Sequence, residues 1–154
     1  MSTIPFWPYK LFFLYVEPVS ALLGALYAGR PAEYLSLIVP ASSPLKTVLS
    51  TPSIEVSISL YQLSNLYLLF ALNEHLVLSS TESVRTWKRL LFCLLVADFG
   101  HLATNLPLGL PLFWQIQEWN AMTWGSIGFV YVGAAMRLSY LFGLGLTSDV
   151  IKRE

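Results

Sequence analysis

Charge is scarce in this chain. Only 12% of its 154 residues are Asp, Glu, Lys or Arg, about half the share of an ordinary soluble domain. That leaves too little solvating surface for a water-soluble globule. Nine basic and nine acidic residues cancel to a formal charge of zero. No basic footprint marks a nucleic-acid partner, and none is expected. The one cysteine, Cys93, excludes an intrachain disulfide. It lies in an apolar run and is expected to be an inert buried packing residue. The two histidines, His75 and His101, are too few for a di-iron oxygenase. Helical rise separates their depths by about 13 Å, which also disfavours a haem pair. No metal and no cofactor is expected. Walker, GxGxxG, GxSxG and HExxH motifs are absent, as are Asn-x-Ser/Thr sequons. The C-terminal IKRE is neither a lipidation nor a retention signal.

Apolar residues are abundant instead: 55% hydrophobic, 14% aromatic, with a mean hydropathy of +0.60. About 20 mainly apolar residues form a helix that crosses the hydrocarbon core. Four segments qualify, at 11–29, 56–78, 89–109 and 124–146. Sustained period-2 alternation is missing, which argues against a β-barrel. The expected fold is all-α: a polytopic membrane four-helix bundle, with residues 1–154 as a single transmembrane domain. The first segment lacks the basic start of a signal peptide and carries Glu17, so it reads as a retained span.

Four spans place both termini and the 79–88 loop on one side. That side holds Lys10, Arg85, Lys88, Arg89, Lys152 and Arg153; the other holds Arg30 and Lys46. The positive-inside rule then makes both termini cytosolic. Trp7, Tyr9 and Trp87 would mark the cytosolic interface, and Trp114, Trp119 and Trp124 the opposite one. The Pro- and Ser-rich loop 30–55 is expected along the membrane surface, with a short helix at Pro31–Leu37. The aromatic loop 109–124 is expected as an interfacial lid or anchor. The localisation expected is a multi-pass membrane protein of the endoplasmic reticulum or another endomembrane.

The spans contain six ionisable groups: Glu17, Glu74, His75, Asp98, His101 and Arg137. Each is costly in lipid and is expected to face the bundle interior with a partner. Helical rise brings Glu17, Asp98 and Arg137 to one level in the cytosolic half, and leaves Glu74 nearer the helix end. Asp98, His101 and Asn105 share one face of the third span; Glu17, Ser20, Gly24 and Ala28 form a stripe on the first. Gln62, Asn65 and Asn73 share a face of the second. Ala135, Ser139 and Gly143 make a small-residue seam on the fourth, beside Gly133 and Arg137. Pro18 removes a helical hydrogen bond and strands the Leu14 carbonyl.

Each group has a structural reading beside a functional one. Asp98 and Arg137 pair either to set helix register or to serve chemistry. Glu17, if buried without an Arg partner, is a neutral acid able to donate a proton. His101 is either an oriented acid–base group or a satisfied interior histidine. His75 is expected to snorkel to the interface. Asn65, Asn73 and Asn105 serve as interhelical glue or as ligands.

The segments FFLYVEPVSALLGALYAG, QLSNLYLLFALNEHLVL, VADFGHL and WNAMTWGSIGFVYVGAAMRLSYLFGLG occur in that order. Together they resemble a family of small fungal integral-membrane proteins known only as a domain of unknown function. Its members have four predicted spans and are sometimes encoded beside secondary-metabolite genes. The resemblance covers nearly the whole chain and implies fold but no activity. A weaker, fold-level likeness is to sterol isomerase and sigma-2-type membrane proteins, which gather acids, Asn, His and Trp in a lipophile pocket.

The expectation for function is therefore a bundle that binds a lipophilic small molecule and isomerises or cyclises it. Glu17 would donate the proton, with Asp98 and His101 as base and orienter. Asn65, Asn73, Arg137 and Trp124 would line the binding site. The rival readings are a proton-coupled small transporter and a non-enzymatic scaffold subunit. The bilayer is the expected partner, with self-association into a homo-oligomer also compatible with the small-residue stripes.

Overall fold

Five helices follow one another along residues 7–38 and 51–145, the residues described by a computed structural model. Helix α1 spans Trp7–Ala28. Helix α2 is short, Pro31–Ile38. Helix α3 begins as Ile54–Leu72 and runs on through a wider π-helical turn, Asn73–Val77. Helix α4 spans Val84–Thr104. Helix α5 covers residues 121–141 and contains a π-helical turn of the same kind at Trp124–Gly128. No strand occurs among the described residues. The predicted short helix after Pro31 is present. Lys46, Lys152, Arg153 and the predicted end of the last span at Leu146 lie outside the described residues.

Helices α3, α4 and α5 start before their predicted spans, because polar caps begin them. Ser53 accepts from the Val56 N–H at 3.4 Å, Ser83 from the Thr86 N–H at 3.3 Å and Asn120 from the Thr123 N–H at 2.9 Å. Such caps satisfy backbone donors that a helix start leaves open. Helix α5 ends at a left-handed glycine, Gly143 (φ 78°). There the Leu144 N–H reaches the Ser139 carbonyl at 3.0 Å and the Gly143 N–H reaches Tyr140 at 3.0 Å. Only a residue without Cβ holds that turn cheaply. Gly143 is thus a helix terminator rather than part of a packing seam.

Two helices, Trp7–Ala28 and Val84–Leu108, are long and apolar enough to cross a membrane. Helix α3 is diluted by Ser57, Ser59, Gln62, Ser64 and Asn65, and α5 by its glycines and Arg137. Helix α1 packs along α3, and α4 along α5. Tyr9 Oη donates to the Leu144 carbonyl at 2.8 Å, which joins the start of α1 to the end of α5. An aromatic plug fills this end of the bundle. Tyr9 and Tyr140 meet edge to face at 5.1 Å, and Trp87 lies 5.8 Å from Tyr140. Trp87, expected at an interface, is 1% exposed and donates Nε1–H to Thr81. At the other end Ala28, Tyr34 and Leu60 form a second core. There Asn120 Nδ2 donates to the Leu37 carbonyl at 2.7 Å and pins α2 to the loop before α5.

The bundle is apolar outside as well as inside. Val19, Leu22 and Leu26 on α1, Leu66 and Leu69 on α3, and Phe92, Val96 and Phe99 on α4 are all exposed. Cys93 belongs to this outer face and is exposed, not a packing residue of the core. Two predicted polar or small faces are also corrected. Gln62 and Asn65 are exposed, and Asn73 is half-buried, so their face is not the inner face of α3. Ala135 is exposed, while Gly133, Ala134, Arg137 and Tyr140 are buried and form the inner face of α5.

Candidate functional site

The site begins with a proline. Pro18 has no N–H to give the Leu14 carbonyl, and α1 widens into a π-helical turn at Phe12–Val16. The stranded Leu14 oxygen is met from α3 by His75 Nδ1 at 2.7 Å. A carbonyl only accepts, so Nδ1 carries the hydrogen. His75 is exposed and stands edge-on to Tyr15, 5.7 Å away. It is therefore a clasp between α1 and α3 rather than a snorkelling side chain. Its chain neighbour Glu74 points the other way and is 0% exposed.

Arg137 from α5 receives three acids. Nη1 donates to Asp98 Oδ2 at 2.7 Å; Nη2 donates to Glu17 Oε1 at 2.5 Å and to Glu74 Oε1 at 3.1 Å. Arg137 is 0% exposed, and its Cζ lies 5.8 Å from the rings of both Phe13 and Phe70. Four helices thus converge on one guanidinium. Gly133, one turn earlier, makes the room. A Cβ there would stand 2.8 Å from Arg137 Nη1 and 3.1 Å from Glu17 Oε1. Glu17 Oε2, Glu74 Oε2 and Arg137 Nε are buried and have no hydrogen-bond partner among the described residues. A buried ion cluster of this kind is weak evidence for net stability, since desolvation offsets its attraction.

Beside the cluster, between the α1–α3 and α4–α5 pairs, lies a cavity of about 430 Å³. Glu17, Asp98 and His101 line it at one part; Gly24, Tyr67 and Phe129 are among its other walls. It extends to Tyr34 and Leu37 of α2 and to Met122 at the start of α5. Burial pushes the Tyr34 phenol above its ordinary range, despite a hydrogen bond to Tyr67 that lowers it. Tyr34 is therefore a neutral hydroxyl at the α2 end. His101 Nε2 lies 3.0 Å from the Ser126 carbonyl, an oxygen of the π-helical turn in α5. Nε2 carries the hydrogen for the same reason as in His75, and in the neutral form of the ring Nδ1 is then the acceptor. A second, smaller cavity shares Tyr34, Leu63, His101 and Ser126 and continues to Asn105 and Pro107.

The structure brings together Glu17, Asp98 and Arg137, as the helical rise predicted. It adds Glu74, which helical rise alone places nearer the helix end. A straight helix put Glu74 too near the end of α3, and the π-helical turn was not legible in the sequence. Asp98 bonds Arg137, while a backbone carbonyl orients His101. Asp98, His101 and Asn105 do share one face: Asp98 and Asn105 are buried and His101 is half-buried. Asn65, Asn73, Trp124 and Arg137 are not among the lining residues of the main cavity; Arg137 lies behind Glu17 and Asp98, which are. Trp124 is 51% exposed and packs edge-on against Trp119 at 4.9 Å.

The fold and site define a helical-bundle protein organised around one buried arginine and three acids. The chain belongs to the family described as Domain of unknown function (DUF7704), whose model matches residues 1–147. The comparisons with curated proteins and with solved structures returned no match.

Proposed function

We propose that the chain is an integral-membrane bundle of four spans, α1, α3, α4 and α5, with both termini cytosolic, which binds a lipophilic small molecule. The observation that carries this is the cavity where Glu17, Asp98 and His101 meet a mainly apolar lining. Its volume of about 430 Å³ lies within the usual range for small-molecule sites. The apolar outer belt on α1, α3 and α4 supports burial in lipid, since a soluble monomer rarely exposes so continuous an apolar surface. The predominance of Lys and Arg near the termini and the α3–α4 turn supports the orientation. An endomembrane location and a role in secondary metabolism belong to the same proposal.

The chemistry the site suits is proton transfer to and from an apolar substrate, giving isomerisation or cyclisation. Glu17, at the cavity and beside the stranded helix turn, has Arg137 as a partner and so is not an isolated neutral acid; as proton donor it draws on a proton shared with Glu74, whose Oε1 meets the same Arg137 Nη2. His101 is the base, through the Nδ1 that its bond to Ser126 leaves as acceptor. Asp98 and Glu74 hold Arg137 and fix the charge behind Glu17. The test is expression in microsomes with lipophilic metabolite pools, comparing wild type with Glu17→Gln and His101→Gln. A changed product profile supports catalysis. Unchanged profiles from well-folded variants overturn it.

A second reading has its own observation. Arg137 is fully buried and ties acids from α1, α3 and α4 to α5. A cluster that only locks four helices into register would look the same at that point. Under this scaffold reading the cavity stays empty of ligand in every assay.

A further inference from the structure

The charges around the cavity do not balance. Three carboxyls face one guanidinium, so full ionisation leaves two negative charges in excess. One proton held between Glu17 and Glu74, whose Oε1 atoms share Arg137 Nη2, leaves one. Among the described residues the other Lys and Arg side chains are Lys10, Arg30, Arg85, Lys88 and Arg89, and none of them lines the cavity; His101 does line it and donates Nε2–H to the Ser126 carbonyl. Glu17 is 5% exposed, lines the cavity, and has an Oε2 without a hydrogen-bond partner among the described residues. Asp98 lines it too and uses Oδ2 for Arg137. Tyr67, Phe70 and Phe129 contribute aromatic rings to the same walls. An uncompensated charge in an apolar site is costly, and a cation beside aromatic rings is favoured.

We infer that the ligand of this cavity is a lipophilic monocation, an alkyl- or aryl-substituted ammonium, seated with its charged head against Glu17 and Asp98 and its apolar body toward Tyr34. The inference rests on the lipophile-binding reading and narrows it to a chemical class. An anion would meet the excess carboxylates, and a neutral molecule would leave them unmatched. A bare metal ion would find mostly carbon on the far walls. A protonated amine supplies the missing charge beside the two carboxyls that line the cavity.

The test uses the full chain in nanodiscs of neutral lipid, with empty nanodiscs subtracted. Isothermal titration compares N,N-dimethyldodecylamine, protonated at neutral pH, with dodecan-1-ol. The amine is expected to bind at least about tenfold more tightly, the scale of one hydrogen bond to a charged group. Glu17→Gln is expected to remove most of that preference. Should Glu17→Gln fail to fold, by circular dichroism and size-exclusion behaviour, Asp98→Asn takes its place. Gly125→Phe leaves every acid in place and adds a ring at a residue of the cavity wall, where a Cβ meets nothing within 4 Å. It is expected to weaken both probes. Equal binding of the two probes, weakened by Gly125→Phe, would overturn the cation class and leave the lipophile reading standing. Binding of neither probe, or no effect of Gly125→Phe, would overturn both.

Discussion

Replacing Gly133 by alanine tests the arginine cluster with a single methyl group. The added Cβ would lie 2.8 Å from Arg137 Nη1 and 3.1 Å from Glu17 Oε1. Ordinary contacts of that kind begin near ~3.4 Å, so the guanidinium must retreat by roughly half an ångström or more. It has nowhere to go. Arg137 is 0% exposed and flanked by Phe13 and Phe70. Retreat stretches the 2.7 Å bond to Asp98 and the 2.5 Å bond to Glu17. Losing one or two charged hydrogen bonds costs about 1.5–3 kcal/mol each. Alanine also gains roughly 0.5–1 kcal/mol over glycine inside a helix. The net expectation is a destabilisation of about 0.5–5.5 kcal/mol. Gly125→Ala is the control, since its Cβ meets nothing within 4 Å. Thermal unfolding of both variants in one detergent reads the difference. Gly133→Ala as stable as Gly125→Ala would refute the packing of Arg137 against Gly133.

Further outcomes follow from the same geometry. Arg137→Gln is expected to cost about 3–5 kcal/mol, because it strands three buried acids, whereas Glu74→Gln is expected near neutral, because it removes surplus negative charge; denaturation midpoints separate them. His75→Ala is expected to cost about 1 kcal/mol by losing its bond to Leu14. In a Pro18→Ala background, where an N–H returns to the helix ladder, that cost should shrink; a double-mutant cycle on unfolding checks it. Cys93 sits on the exposed face of α4. In intact membranes it should react with a lipid-soluble maleimide and resist a charged one, and equal labelling by both would contradict burial of that face in the bilayer.

Much of this arrangement was legible in the sequence because period and depth are simple quantities. Glu17, Asp98 and Arg137 sit at matching heights on regular helices, and arithmetic on the rise found them. Pro18 announced a stranded carbonyl at Leu14. The partner of that carbonyl was hidden, because His75 lies on a π-helical turn whose extra residue shifts its direction. The same turn hid Glu74. The faces of α3 and α5 were misread for a related reason. Small and polar residues recur at helical spacing on both sides of α5, and only packing shows that Gly133, not Ala135, lies inside. Gly143 belongs to the chain's exit from α5. On α3, Gln62 and Asn65 are polar residues on an outer face, where a rule that polar means inward fails.

The central claim is that a lipophile occupies the space beside the Arg137 cluster. Photocrosslinking tests it most directly, with a diazirine-bearing dodecylamine added to the chain in nanodiscs and the modified peptides mapped. The expected labels fall on cavity residues such as Glu17, Tyr67 and Phe129, compete with unmodified amine, and vanish in Gly125→Phe. Labels confined to the outer face of α4, at Phe92, Val96 and Phe99, with no competition, would contradict the account.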